Sequence, residues 1–234
     1  MTFFARNLSF LRQQSKEKPE AFASSLGIWE RSLRQYEQGR EEPDLQTLMT
    51  IAQQLNLPVD HLLGKDLEGQ QARIRRQKVK LVLLDVDGTM TDGGMYYSEN
   101  GDQLKKFNTK DGMAIKRTMK HHPVKFGFIS SASTEGIISS RAKTLGIELV
   151  YAGGRDKTQV IEGWLAQYNF SWKQIAYVGD DLNDLVVMEK VGISACPSDA
   201  VEQVKLASDV ILKRPGGKAC VREFLEEVLE FKML

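Results

Sequence analysis

The chain has 234 residues, 41% of them hydrophobic, and a formal net charge of +1 at pH 7. That bulk suffices for one or two domains with buried cores, and the near-zero charge gives no global attraction to nucleic acid or membrane, so any DNA contact has to be local. No apolar run approaches the roughly 20 residues of a membrane span, and charges interrupt the N-terminal stretch where a secretory leader needs an apolar centre, so a cytoplasmic protein is expected.

Residues 1 to about 64 show helical spacing and no strand-like alternation. Phe4, Leu8 and Leu11 line a first helix; Pro19 opens a second with Ala21, Phe22 and Leu26 inward, and Gly27 stops it. Ile28, Leu33 and Tyr36 predict a third, ended by Gly39, and Asp44 is a fitting N-cap for a fourth bearing Leu45, Leu48, Ile51, Ala52 and Leu55. Pro58 to Leu63 makes a last turn closed by Gly64, with His61 as its surface or capping histidine.

The run from Ala23 to Pro43, which includes Trp29-Glu30-Arg31-Ser32-Leu33-Arg34-Gln35, resembles the helix-turn-helix of lambda-repressor-like proteins, and Pro58 to Gly64 is similar to their final helix. The resemblance implies that Trp29 to Gln35 face the major groove, with Glu30 and Arg31 at base-contacting positions and Arg34 or Arg40 near phosphates. Two features depart from that pattern. Pro19 stands where the family often has a phosphate-contacting glutamine, and residues 1 to 64 carry seven Arg or Lys against eight Asp or Glu, whereas phosphate neutralisation uses a basic face. DNA binding and a helical assembly module are therefore both open readings.

Residues 65 to 77 read as a polar linker, partly helical, and its cluster of Arg73, Arg75 and Arg76 with Lys78 as a solvated face. From residue 78 onward, short apolar runs alternate with amphipathic stretches, which predicts an α/β domain built on a doubly wound parallel sheet. Strands are expected at Leu81 to Leu84, Val124 to Ile129, Glu148 to Tyr151, Ile175 to Val178, Gly192 to Ala195 and Val210 to Leu212. Helices are expected at Asp111 to Lys120, Thr134 to Leu145, Lys157 to Gln167, Asn183 to Lys190, Ala200 to Leu206 and Cys220 to Phe231. Between the first strand and its helix, Met95 to Phe107 is an insertion whose Asn100-Gly101 predicts a β-hairpin. No block large enough for a cap domain interrupts the alternation. Cys196 and Cys220 lack metal or redox spacing and read as small core residues, while His121 and His122 read as solvated residues at a helix C-terminus.

Chemistry concentrates at four predicted strand ends. Asp85 and Asp87 follow the first strand, Ser130 the second, Lys157 opens the helix after the third, and Gly179-Asp180-Asp181-Leu182-Asn183-Asp184 ends the fourth. Ligands of such sheets sit beyond the carboxyl ends of the strands, and two carboxylates one residue apart in a buried crevice repel unless a cation lies between them. Carboxylates, a hydroxyl and an ammonium meeting at one edge suit phosphoryl transfer with a hard divalent ion.

This quartet, with Asp85-Val86-Asp87-Gly88-Thr89 as its first motif, resembles the haloacid dehalogenase superfamily. The resemblance implies Asp85 as the nucleophile forming an aspartyl-phosphate and Asp87 as general acid, then base. Ser130 and Lys157 would hold the phosphoryl group, and Asp85, the Asp87 carbonyl and Asp180 would ligate Mg2+, with Asp181 and Asp184 behind them. Asp184 is also a plain N-terminal dipole partner.

A narrower likeness lies in Thr91-Asp92-Gly93, Tyr96-Tyr97, Glu99-Asn100-Gly101, Phe107, Lys110-Asp111-Gly112 and the tail Pro215-Gly216-Gly217-Lys218-Ala219-Cys220-Val221-Arg222-Glu223. It resembles the cap-less branch of 3-deoxy-D-manno-octulosonate 8-phosphate phosphatases and related nononate 9-phosphate phosphatases. That implies a phosphorylated 2-keto-3-deoxy sugar acid as substrate, a place in lipopolysaccharide biosynthesis, homotetramers built through the hairpins, and Thr89, Lys110, Ser131, Gly217 and Arg222 on the substrate side. Ala132 replaces an arginine usual in the octulosonate enzymes, Asn183 an apolar residue, and Lys218 and Cys220 a glycine and an alanine. A sialic acid or nononate 9-phosphate is the alternative substrate, and a DNA-binding regulator that senses a sugar phosphate is the alternative function.

Overall fold

The computed structural model describes residues 2–101, 103–132 and 135–231. By its internal contacts the chain divides into Met1–Arg73 and Ile74–Leu234.

The first unit holds α1 (Phe3–Ser15), α2 (Pro19–Ser25), α3 (Glu30–Glu37), α4 (Leu45–Gln54), α5 (Val59–Gly64) and most of α6 (Leu67–Arg76). Pro19 opens α2 where its missing N–H costs nothing, and Asp44 caps α4 by accepting from the Thr47 N–H at 2.7 Å. Phe4, Leu8, Phe22, Ala23, Leu26, Leu33, Ile51 and Leu62 form the core. Asn7 is buried among them: its Nδ2 donates to the carbonyls of His61, Leu62 and Lys65, and its Oδ1 accepts from the Leu67 N–H. One amide thereby satisfies the end of α5 and the start of α6, groups that a helix leaves unpaired.

Three expectations for this unit fail. Ala21 is exposed, with Ala23 inward in its place, and Leu45 is 73% exposed because its position next to the N-cap points away from the core. His61 is only 2% exposed, buried by α1 rather than at the surface. The segment expected as a polar, partly helical linker is largely the helix α6.

In the second unit, β1 (Leu81–Leu84) is followed by β2 (Tyr96–Tyr97), β3 (Gln103–Leu104), α7 (Thr109–His121), β4 (Lys125–Ser130), α8 (Glu135–Leu145), β5 (Leu149–Ala152), α9 (Lys157–Tyr168) and β6 (Ile175–Val178). It ends with α10 (Leu185–Met188), β7 (Ile193–Cys196), α11 (Glu202–Ala207), β8 (Val210–Ile211) and α12 (Cys220–Glu223). All six strands of the large sheet run parallel in the order β5-β4-β1-β6-β7-β8, so β1 is central and the chain reverses its winding direction after β5. That reversal opens a crevice beyond the carboxyl end of β1, between its neighbours β4 and β6.

Strand alternation divides the core. Val82 and Leu84 face one layer with Ile115 of α7, Ile138 of α8 and Val221 of α12. Leu81 and Leu83 face the other with Ile161 and Leu165 of α9, Val187 of α10 and Val204 of α11. Both cysteines are buried core residues; His121 is exposed, and His122 stacks on Phe231 at 4.8 Å between ring centroids.

Two predicted helices are shorter than expected. Residues 182–184 form a 3-10 turn before α10, because the Asp181 and Asp184 carboxylates bond back to the local backbone. After α12 the chain widens into a π-turn at Phe224–Val228. The hairpin is present as the antiparallel pair β2 and β3, and Asp102, Ser133 and Thr134 lie outside the described residues.

Candidate active site

The four polar strand ends converge at the crevice. The backbone leaves β1 through Asp85, turns at Asp87 (φ −84°, ψ 115°) and takes a positive φ of 88° at Gly88. Gly88 is required twice, since a Cβ there would lie 1.9 Å from Asp180 Oδ2 and the left-handed region disfavours side chains. The loop closes with the Thr91 N–H donating to the Val86 carbonyl at 3.0 Å.

Lys157, at the first position of α9, donates from Nζ to Asp85 Oδ1 and Asp184 Oδ1, each at 2.6 Å. The Tyr177 hydroxyl also donates to Asp184 Oδ1, and Asp184 Oδ2 accepts the N–H groups of Asp180 at 2.8 Å and Asp181 at 3.2 Å. Asp184 is thus a fully bonded brace beneath the loop after β6. Asp180 stands over it, its Oδ1 accepting from Thr89 Oγ1 at 3.0 Å. Ser130, at the end of β4, donates from Oγ to Asp87 Oδ2 at 3.3 Å and accepts from the Ala132 N–H.

The electrostatics follow from burial. Desolvation pushes Asp85 well above the usual carboxylate range, Lys157 pulls it down, and the negative charges of Asp184 and Asp180 add to the rise. Asp180 is pushed up to about 7, chiefly by burial and then by Asp184. Lys157 is held above its ordinary value although burial acts against it, because two carboxylates flank it. The Tyr177 hydroxyl is raised well above its usual value by burial beside Asp184, so it stays a donor.

These raised acids are the fit test for a metal. One oxygen each of Asp85, Asp180 and Asp184 lies within 4.8 Å of the others. Asp184 is committed to Lys157, Tyr177 and two N–H groups, which leaves Asp85 Oδ2 and Asp180 Oδ2 without a donor among the described residues. Two crowded carboxylate oxygens in a buried, all-oxygen setting suit a hard divalent cation, which relieves both their desolvation and their repulsion. The Asp87 side chain points elsewhere, to Ser130 and Lys105.

Of the other predicted residues, Ser131 is exposed and accepts from Asn183 Nδ2 at 3.1 Å, Asp181 is exposed, and Lys110 is exposed on the first turn of α7. The Gly217 N–H donates to the Thr89 carbonyl at 3.0 Å, and its own carbonyl accepts from Asn108 Nδ2 at 2.9 Å. A Cβ on Gly216 would lie 1.8 Å from the Gly88 carbonyl oxygen, so the tail packs directly on the loop after β1. Arg222 reaches Glu226 with its side chain at 2.9 Å and bonds Asp111 Oδ1 through its N–H.

Sequence reasoning missed Tyr177, Lys105 and Asn108, and gave Asp111 no role beyond its place in the Lys110-Asp111-Gly112 motif. Tyr177 carried a signal, a lone hydroxyl within a fully buried strand that had to find a partner. Lys105 carried one too, since strand alternation turns it inward where Leu104 points out.

A model of the haloacid dehalogenase-like hydrolase family matches residues 118–217. The 3-deoxy-D-manno-octulosonate 8-phosphate phosphatase of Escherichia coli K12 is 34% identical over 155 residues, which are 66% of this chain and 81% of that protein. The chain belongs to this phosphatase branch of the haloacid dehalogenase superfamily. It is accordingly a phosphatase, a hydrolase. The Yersinia pestis 3-deoxy-D-manno-octulosonate 8-phosphate phosphatase structure superposes with a TM-score of 0.64 at 32% identity, covering 68% of this chain and 84% of that one. The Moraxella catarrhalis enzyme, solved in complex with magnesium ion, phosphate ion and a KDO molecule, gives 0.65 at 28% identity, covering 70% and 92%. No described helix of this phosphatase is long and apolar enough to cross a membrane.

Proposed function

We propose that the second unit hydrolyses a phosphorylated 2-keto-3-deoxy sugar acid of the 3-deoxy-D-manno-octulosonate 8-phosphate type, with Mg2+ and through a phosphate ester of Asp85. The single observation that carries this reading is the Asp85–Lys157–Asp184 chain beside Asp180, which leaves one oxygen of Asp85 undonated at the mouth of the crevice. The identity of the relatives supports the substrate class.

Asp85 attacks phosphorus, and Lys157 holds it in place while neutralising the charge that gathers on the phosphoryl oxygens. Asp87 gives a proton to the leaving sugar oxygen and later takes one from the attacking water, and Ser130 bonds a phosphoryl oxygen. Asp85, the Asp87 carbonyl and Asp180 would hold the magnesium, which when bound supplies charge neutralisation and alignment of the phosphate. Asp181 and Asp184 brace this set, and Thr89, Lys110, Ser131, Gly217 and Arg222 border the substrate.

Phosphate release measured over a panel of eight- and nine-carbon 2-keto-3-deoxy sugar acid phosphates, with magnesium and with chelator, tests the reading. Turnover confined to that class and abolished by chelation supports it; equal turnover of unrelated phosphomonoesters counts against it.

The hairpin leaves Met95, Tyr96, Tyr97 and Leu104 exposed, a surface too apolar for an isolated two-stranded ribbon, which supports a homotetramer joined through hairpins. Removal of the first 77 residues should leave that assembly intact by light scattering. In the first unit, α3 presents Trp29, 84% exposed, together with Glu30, Arg31 and Arg34, and Arg34 pairs with Glu30 at 2.6 Å. Glu30, Arg31, Arg34, Gln35, Gln38 and Arg40 line an open groove along it, three arginines against one glutamate, which supports local DNA contact. Salt-dependent retention of DNA fragments that Arg31→Ala weakens supports this role, and no retention at low salt leaves the unit as an assembly module.

A further inference from the structure

We propose that Lys105 of the hairpin is a positioning residue that holds the Asp87 carboxylate as the base for the second half of the reaction, an inference that rests on the aspartyl-phosphate reading above. Lys105 follows β3, and the alternation that turns Leu104 outward, 68% exposed, turns Lys105 inward until its side chain is 2% exposed. Its ammonium donates to Asp87 Oδ1, while Ser130 Oγ donates to Oδ2, so the carboxylate is gripped at both oxygens.

The next lysine, Lys106, turns the other way and pairs with Asp92 at 2.6 Å, and Lys157 is committed to Asp85 and Asp184. Asp87 and Asp92 therefore each have a lysine of their own, and Asp85 and Asp184 share Lys157. A buried ammonium without a counter-charge is costly, so Lys105 and Asp87 fix one another. Asp87 sits in a loop outside regular structure, between Val86 and the positive-φ Gly88, where its orientation depends on such side-chain bonds.

In the second half-reaction a water oxygen bonds to phosphorus, its proton passes to Asp87, and the bond between phosphorus and the Asp85 oxygen breaks with its electron pair returning to Asp85. A base held a fraction of an ångström off line slows that step, and it slows that step alone when the leaving group needs no proton. Because the same strand step places Leu104 on the exposed hairpin face and Lys105 on Asp87, hairpin packing and base position are mechanically joined.

The test is pre-steady-state hydrolysis of p-nitrophenyl phosphate by the full chain with magnesium, since p-nitrophenolate leaves without a proton and the first step survives loss of the acid. Lys105→Met and Lys105→Gln should release about one equivalent of p-nitrophenolate per site rapidly, then turn over about 10²-fold more slowly than the wild type. Lys105→Arg should recover part of the steady rate. Asp87→Asn is the reference: if it shows the burst and neither Lys105 variant does, the proposal is wrong while the role of Asp87 stands. If Asp87→Asn shows no burst either, the aspartyl-phosphate reading of Asp87 fails and the proposal falls with it. Equal loss of burst and steady rate in the Lys105 variants would mark a structural role and overturn the proposal.

Discussion

Lys157→Met removes the cation that bridges Asp85 and Asp184 and leaves two carboxylates facing each other in a buried space. Lys157 donates to both at 2.6 Å and its side chain is 2% exposed, so solvent cannot replace it. Breaking a buried ion pair from one side costs about 3–5 kcal/mol, because the partner keeps its desolvation penalty. With a urea dependence of about 2 kcal/mol per molar, that is a midpoint shift of roughly 2 M. Trp164 and Trp172 are both half-buried in the second unit, and Trp29 is already exposed, so tryptophan fluorescence follows the second unit.

The pH dependence gives the sign. Asp85 has a higher proton affinity folded than unfolded, so the native state binds the extra proton and stability falls as pH rises from about 4 through the raised value. Lys157 opposes that rise, and its own raised value keeps its contribution fully present at neutral pH, to be lost only in the alkaline range. Without it the window for Asp85 extends upward, so the deficit of Lys157→Met grows with pH and is larger at pH 8 than at pH 5. Adding Asp184→Asn should recover part of the loss by removing one of the two charges. A deficit under about 1 kcal/mol, or one equal at both pH values, would refute the buried-charge argument.

Gly88→Ala should keep the fold at a cost of about 1–2 kcal/mol for its positive φ, yet raise the magnesium concentration needed for half-maximal activity, because its Cβ displaces Asp180; unchanged magnesium dependence would contradict this. Asn7→Ala removes the donor shared by three carbonyls and the acceptor for the Leu67 N–H, and should destabilise the first unit by about 1–3 kcal/mol. Amide exchange in residues 2–73 reads that loss, and phosphate release should be unaffected.

Much of the second unit was legible because its strands are short, apolar and separated by helical spacing. Leu81 to Leu84 and Ile175 to Val178 are seen as expected, and the other strands are displaced by a residue or so at their ends. The site was legible where a strand end coincides with a polar motif, as at Asp85, Ser130 and Asp180. What escaped depends on partners distant in sequence. Asn7 meets residues 61–67 only after folding, Lys105 meets Asp87 only once the hairpin folds back, and Tyr177 hides its hydroxyl role inside a hydrophobic run. His61 was misjudged because a short helix gives no sign of which of its faces another helix covers. Asp184 was read as a helix-end charge as well as a site residue, and its four bonds make it a brace for Lys157 and for the loop that carries Asp180.

Trapping the phosphoryl group on Asp85 decides between this mechanism and its rivals. Enzyme quenched during turnover of 3-deoxy-D-manno-octulosonate 8-phosphate and reduced with borohydride should yield a peptide in which an acyl-phosphate at position 85 has become homoserine, and Asp85→Asn should yield none and release no phosphate. Reduction at another carboxylate, or turnover by Asp85→Asn above a tenth of the wild-type rate, would contradict the account.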